Sequence, residues 1–210
     1  MKKTISVLMV LCLALSVLVF SCASGGSSGE MGPGVSAVGQ ADHPSATTGQ
    51  DGWTGFGDSE EEGAGGTSVI KLTVIEKDGM PAYNFKGATG PGVAWPYAQA
   101  AFYPDAATLE AFKKATGVSF MIQGDGREYN LQFCISSVTD WGYHAYVFTA
   151  TQEPTRVTVP IGHFMQPSWA TWKRLDVARF TAIQWATYSW GYSGKPEPFE
   201  FTIWDLQVHQ

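Results

Sequence analysis

An all-β sandwich or barrel interrupted by one short helix is the fold class that this sequence predicts for residues 67–210. Three observations predict it. Short runs rich in Val, Ile, Thr, Tyr, Phe and Trp recur along the segment with turn-forming residues between them. Residues 118–135 alternate apolar and polar positions on both sides of Gly124-Asp125-Gly126. Only the stretch around residues 105–117 carries helix signals. Many strands at this spacing imply a sandwich or barrel, because a parallel α/β sheet needs a crossover helix between successive strands.

Each element follows from its own residues. Residues 69–75 are dense in β-branched side chains and are closed by Asp78-Gly79, which predicts a strand and a turn. After the glycine-rich stretch at 87–92, residues 95–103 form an aromatic, extended segment. The helix comes next: Asp105 caps its first turn, Leu109 and Phe112 share a face, Lys113 and Lys114 sit at its negative end, and Gly117 stops it. Val118, Phe120 and Ile122 then alternate with Ser119, Met121 and Gln123. Beyond the Gly-Asp-Gly turn Tyr129, Leu131, Phe133 and Ile135 repeat the pattern, which predicts a hairpin with one apolar face. Further strands are expected at 144–151, 155–161, 178–188 and 199–208. A segment of this length buries a core unaided.

The residues ahead of this domain have a different character. Lys2 and Lys3 precede an apolar run over residues 5–20, the layout of a secretory signal and too short for a comfortable membrane span. Val19-Phe20-Ser21-Cys22 resembles the lipobox of bacterial lipoproteins, although Phe20 stands where that motif usually has a small residue. The resemblance implies cleavage after Ser21, a signal peptide at residues 1–21 and lipid attachment at Cys22. The chain is then expected in the bacterial cell envelope, periplasmic or on the cell surface, with the membrane as a partner through its lipid anchor. The alternative is an ordinary cleaved signal and a free soluble protein.

Residues 22–66 read as the lipidated cysteine and a disordered linker. Residues 23–66 hold thirteen glycines and seven acids, no Lys or Arg, and only Trp53 and Phe56 as large groups that could dock. With those seven acids set apart from nineteen, and Lys2 and Lys3 from thirteen bases, twelve acids face eleven bases in the domain. That near-neutral balance argues against a nucleic-acid partner. Once Cys12 leaves with the signal and Cys22 takes lipid, Cys134 is alone, which excludes an internal disulfide and a cysteine-based zinc site.

Several pieces of the domain resemble one known family. Gly117-Val118-Ser119-Phe120, the Gly124-Asp125-Gly126-Arg127 turn with Tyr129 and Leu131 beyond it, Val157-Thr158-Val159-Pro160-Ile161 with Phe164, and Phe199, Phe201, Ile203 and Leu206 are similar to the complex I intermediate-associated protein 30 family. Gln123 stands where many members have Arg before the turn. The resemblance spans roughly residues 69–208 and implies a galactose-binding-like jelly-roll β-sandwich, shared with family 11 carbohydrate-binding modules. It implies a binding module with carbohydrate as the leading ligand class. The family's name does not fix this chain's function.

Sugars bind where flat rings meet their C–H faces and nearby amides, Arg or carboxylates take the hydroxyls. Alternation with Ile183 turns Trp185 toward the core. Two aromatic-Gly-aromatic triplets, Trp141-Gly142-Tyr143 and Trp190-Gly191-Tyr192, lie between strands, where sandwiches usually bind their ligands. Arg127, Asn130 and Gln132 can add hydrogen bonds from the polar side of their strand, or form an ordinary solvated face. Asp125 is better explained by its turn than by calcium. No cofactor is expected, and the resemblance leaves a structural calcium ion open.

Catalytic signals are sparse. His144, His163 and His209 lack metal-ligand spacing, Cys134 packs within a strand, and no nucleophile elbow, phosphate loop or dinucleotide fingerprint occurs. The expectation is a non-catalytic lipoprotein whose jelly-roll domain binds carbohydrate through loop aromatics and a polar sheet face. The alternative is a structural module that docks an envelope protein without binding sugar.

Overall fold

A computed structural model describes residues 35–38, 51–60, 65–187 and 194–210, all within the compact unit Met31–Gln210. Their strands are β1 (Val35–Val38), β2 (Trp53–Gly57), β3 (Val69–Lys77), β4 (Met80–Thr89), β5 (Ala98–Phe102), β6 (Gly117–Gly124), β7 (Glu128–Ile135), β8 (His144–Thr149), β9 (Thr155–Pro160), β10 (Phe180–Thr187) and β11 (Glu197–His209). The helix α1 (Ala106–Phe112) lies between β5 and β6.

Every strand pairing is antiparallel, and the strands form two sheets. One runs β3-β4-β11-β6-β9, with β1 on β11, and the other runs β2-β5-β10-β7-β8. Between them lies one hydrophobic core. The first sheet contributes Phe85, Phe120, Phe201 and Ile203, and the second contributes Trp53, Leu131, Phe133 and Trp185. This is the expected all-β sandwich with one short helix, and the barrel is set aside because the two sheets do not join.

The helix forms as its sequence predicts. Asp105 Oδ1 accepts from the Thr108 amide at 2.8 Å, so the first turn is capped by a side chain. Phe112 is fully buried and stacks on Phe180 with centroids 4.1 Å apart, which ties the helix to β10.

Two expectations are corrected. Residues 118–135 do not form a hairpin: β6 pairs with β9 and β11, whereas β7 pairs with β8 and β10 in the other sheet. Alternation tells which face of a strand is buried, and two strands burying the same kind of face can sit across a core as well as side by side. The Gly124-Asp125-Gly126 turn therefore carries the chain from sheet to sheet. A tight hairpin joins β3 to β4, with Asp78 and Gly79 both at positive φ (52° and 73°).

The second correction concerns the stretch expected as a tether. Within it, β2 pairs with β5 along its whole length, and Trp53 is 1% exposed, stacked on Tyr83 at 4.4 Å and on Trp185 at 5.2 Å. Its glycines are sites of close approach. A Cβ on Gly57 would stand 2.6 Å from the Ser68 carbonyl oxygen, and Gly52 has a φ of +79° against the Tyr103 backbone. Buried Asp58 then fastens the start of β3: its Oδ1 accepts from the Ser68 amide and its Oδ2 from the Ser68 hydroxyl and the Tyr97 amide. The folded unit thus reaches upstream of residue 67.

Candidate functional site

The outer face of the β2-β5-β10-β7-β8 sheet is defined by register. Leu131, Phe133, Ile183, Trp185, Ala100 and Phe102 point into the core, so the residues between them point out. One outward row runs across four strands as Gln132, Gln184, Ala101 and Thr54. The next runs Asn130, Ala186, Gln99 and Phe56. On the other side of the first row, Cys134 pairs with Ala182. The face is therefore a floor of small side chains and amides.

Two tyrosines border that floor on its Cys134 side. Cys134 acts on both Tyr103 and Tyr143, and Tyr103 acts on Tyr143. Burial, followed by the neighbouring Cys134, raises the Tyr103 phenol, and a hydrogen bond from Gln184 partly offsets this. Burial pushes Tyr143 up to about 12, with Cys134, Tyr103 and Asp140 adding to the effect. Both hydroxyls stay protonated near neutral pH and can donate or accept. Gln184 is buried and its Oε1 has no partner among the described residues, leaving one acceptor on the floor unmatched. Gln99, Asn130 and Gln132 are half-buried and open to a ligand's hydroxyls.

The residues expected from sequence divide among three places. Tyr143, Asn130 and Gln132 lie on this face. Arg127 does not: it sits on the turn between β6 and β7, 3.8 Å from both an Asp125 and a Glu197 oxygen, in a small recess lined by Tyr129, Thr187 and Phe199. Trp141 is 73% exposed on the loop after β7, at the opposite end of that strand. Eight residues of extended chain separate the two, about 25 Å. One ligand-sized patch cannot use both. Trp190 and Tyr192 lie outside the described residues, as do Cys22 and the signal at 1–21.

Tyr103 and Gln184 were missed. The signal was present in the polar or small residues at 182, 184 and 186 alternating with buried Ile183 and Trp185. It marks an outward face, but only the pairing of β10 with β7 and β5 brings that face beside Gln132 and Tyr103.

The other reactive side chains hold structure. Burial raises the Cys134 thiol far above its ordinary range, so it is a packed group beneath the tyrosines. His144 is buried, and its Nε2 faces the Lys173 carbonyl at 2.9 Å. Asp125 does not offer a calcium site, because protein donors occupy its carboxylate: Oδ1 takes the Arg127 amide, and Oδ2 takes the Tyr129 hydroxyl and the Glu200 amide. Among the described residues no three His, Cys, Asp or Glu side chains group as metal ligands.

The sandwich is similar to the family 11 carbohydrate-binding module of the cellulosomal cellulase Lic26A-Cel5E of Clostridium thermocellum. The TM-score is 0.54 at 14% identity, over 84% of this chain and 94% of the module. It is likewise similar to a family 11 module from Clostridium thermocellum solved in complex with a β-1,3-1,4-mixed-linked tetrasaccharide, with a TM-score of 0.53 at 14% identity, over 84% and 95% of the two chains. No protein-family model and no curated protein matches the chain. At this identity the likeness shows the fold, a jelly-roll sandwich of the kind these modules have.

Proposed function

We propose that this chain is a non-catalytic, membrane-anchored lipoprotein whose jelly-roll domain binds carbohydrate across the outer face of the β2-β5-β10-β7-β8 sheet. The observation that carries the reading is the pair of amide rows, Gln132 and Gln184 beside Asn130 and Gln99, with Tyr103 and Tyr143 together on their Cys134 side. Flat phenol rings suit the C–H faces of pyranose units, and amides present a donor and an acceptor to each vicinal hydroxyl pair. The sandwich shared with carbohydrate-binding modules, one of them solved with a mixed-linked tetrasaccharide, supports the ligand class.

The anchor is a separate part of the reading. Its support is the Lys2-Lys3 start, the apolar run and Cys22. Its test is the mass of the mature N-terminal peptide, which carries acyl chains on Cys22 if the reading holds and none if it fails. The motifs shared with the complex I intermediate-associated protein 30 family support a common descent with that family, which a profile built from this chain's own homologues tests.

The sugar reading is tested by calorimetric titration of the full chain with a β-1,3-1,4-linked tetrasaccharide and a panel of plant, microbial and host glycans. A saturable ligand is expected. Tyr143→Ala and Tyr103→Ala should each weaken it about tenfold, the loss of one ring contact worth about 1.4 kcal/mol. Saturable binding that survives both substitutions moves the site elsewhere. Absence of binding across the panel removes the carbohydrate reading and turns the search to envelope proteins.

A further inference from the structure

A group of exposed apolar side chains among the described residues lies beyond the sheet edge, on two loops whose Tyr143, Val138 and Phe164 serve the amide face and the core. The loop between β7 and β8 carries Trp141, 73% exposed. The segment after β9 carries Met165, Trp169 and Trp172, at 69%, 68% and 77% exposed. The two loops meet. Thr171 donates its amide to Asp140 Oδ2 at 2.7 Å, and the Gly142 backbone is so close to Ala170 that a Cβ there would stand 2.1 Å from the alanine's own. Met165 pairs with Ala145, adding one step to the β8 edge. Three indoles and a thioether are thus gathered on one tip.

The tip is built with its polar backbone turned inward. Gln166 donates through Nε2 to the carbonyls of Gly142 and Thr171, and its Oε1 accepts from the Lys173 amide. Asp140 also accepts from the Gly142 amide, and His144 donates through Nε2 to the Lys173 carbonyl. A loop whose polar main chain is satisfied internally loses little on leaving bulk water, while large exposed apolar side chains gain from it. Lys173 and Arg174 follow Trp172 directly, and neither forms an ion pair with a described residue. Asp140 is committed to backbone amides, and Asp176 pairs with Arg179 at 3.4 Å.

We propose that this tip docks on the interface of an anionic phospholipid bilayer, with Trp141, Trp169, Trp172 and Met165 among the headgroups and upper acyl chains and Lys173 and Arg174 on lipid phosphates. Indoles concentrate at membrane interfaces because the ring is apolar and its N–H remains wet, and a basic pair beside them adds attraction to negative lipid. The inference does not rest on the sugar reading. It gains from the proposed anchor only in that the anchor brings the bilayer within reach, since one acyl signal is strengthened by a second contact. Docking would hold the domain in a fixed attitude on its membrane and leave the amide face of the adjoining sheet free.

The test uses the full chain, reconstituted into vesicles of phosphatidylethanolamine and phosphatidylglycerol whose acyl chains carry bromine, a quencher of indole emission at short range. Fractional quenching of the wild type should exceed that of the Trp141→Ser, Trp169→Ser, Trp172→Ser variant about twofold. Replacing phosphatidylglycerol by phosphatidylcholine, or introducing Lys173→Glu with Arg174→Glu, should shift the wild-type signal toward the variant's. The N-terminal mass read on the same preparation separates a missing anchor from a failed docking. Equal quenching in wild type and triple variant overturns the proposal. So does a glycan affinity lost in the triple variant without any difference in quenching, which would make the tip a sugar platform.

Discussion

His144 links one side chain to the pH response of the whole domain. Its Nε2 faces the Lys173 carbonyl, so the neutral ring carries its proton there, and its buried Nδ1 meets no partner among the described residues. Protonation would force a second N–H into that dry position, and burial accordingly lowers the pKa below 6.5, opposed by the bond to Lys173. Above pH 6.5 both folded and unfolded chains hold a neutral ring and nothing is lost. Below it the unfolded chain takes up the proton first, so stability falls as pH drops toward the lower folded value. The carboxylates held low by donated hydrogen bonds, Asp105 from Thr108 and Glu200 from Lys86, keep their contribution until pH falls through values below 3.8 and 4.5. Melting temperature should therefore decline in two stages, and His144→Gln should remove the stage that begins as pH falls below 6.5. A wild type whose melting is flat over that range would refute the assignment. At this scale the sequence was partly legible: alternation marked Asn130 and Gln132 as outward and Trp185 as inward, which the structure shows. Tyr103 and Gln184 escaped because a residue's face can be read within one strand, whereas its neighbours on that face belong to strands far off in sequence.

Elements meet at Asp125, where the turn between β6 and β7 is fastened to a third strand. Its carboxylate takes the Arg127 amide within the turn, the Tyr129 hydroxyl on β7 and the Glu200 amide on β11. Tyr129 is 1% exposed, and burial with the adjacent Asp125 raises its phenol, which stays a hydrogen-bond donor. Asp125→Ala would leave a buried hydroxyl and a strand amide without their acceptor, at about 1–3 kcal/mol for the hydroxyl alone. Urea unfolding should show a loss in that range, and Tyr129→Phe should recover part of it, so that the double variant is more stable than the two single losses predict when summed. Strict additivity would show that the turn and β7 are not coupled through this group. The same turn explains how a hairpin was expected. Gly-Asp-Gly between two alternating runs fits a tight β-turn equally well within one sheet or between two, and the choice rests on Asp125 reaching β11, a contact 75 residues away.

The boundary of the folded unit is a property of the whole molecule, and composition misplaced it. Thirteen glycines spread through residues 23–66 average to the profile of a linker, which hides Trp53-Thr54-Gly55-Phe56-Gly57, five residues whose alternate members are buried. Without side chains at 55 and 57, β2 lies close against its neighbours: Gly55 fits beneath Ile70 and Gly57 beside Ser68. Trp53 then closes the core between Tyr83, Phe102 and Trp185. A chain beginning at residue 67 would lack that indole and the strand that covers the β5 edge. Removing a buried Trp alone costs about 3–5 kcal/mol, a large share of the roughly 5–15 kcal/mol that holds a domain together. Such a chain should melt without a sharp transition and bind a hydrophobic dye, whereas one beginning at residue 31 should melt with the full chain. Should the chain from residue 67 unfold cooperatively within a few degrees of the full chain, β2 would be an ornament on a finished sandwich. A loss of folding would instead mean that any binding experiment has to keep these upstream residues, since the sheet bearing Gln184 and Tyr103 has β2 as the strand that pairs with β5.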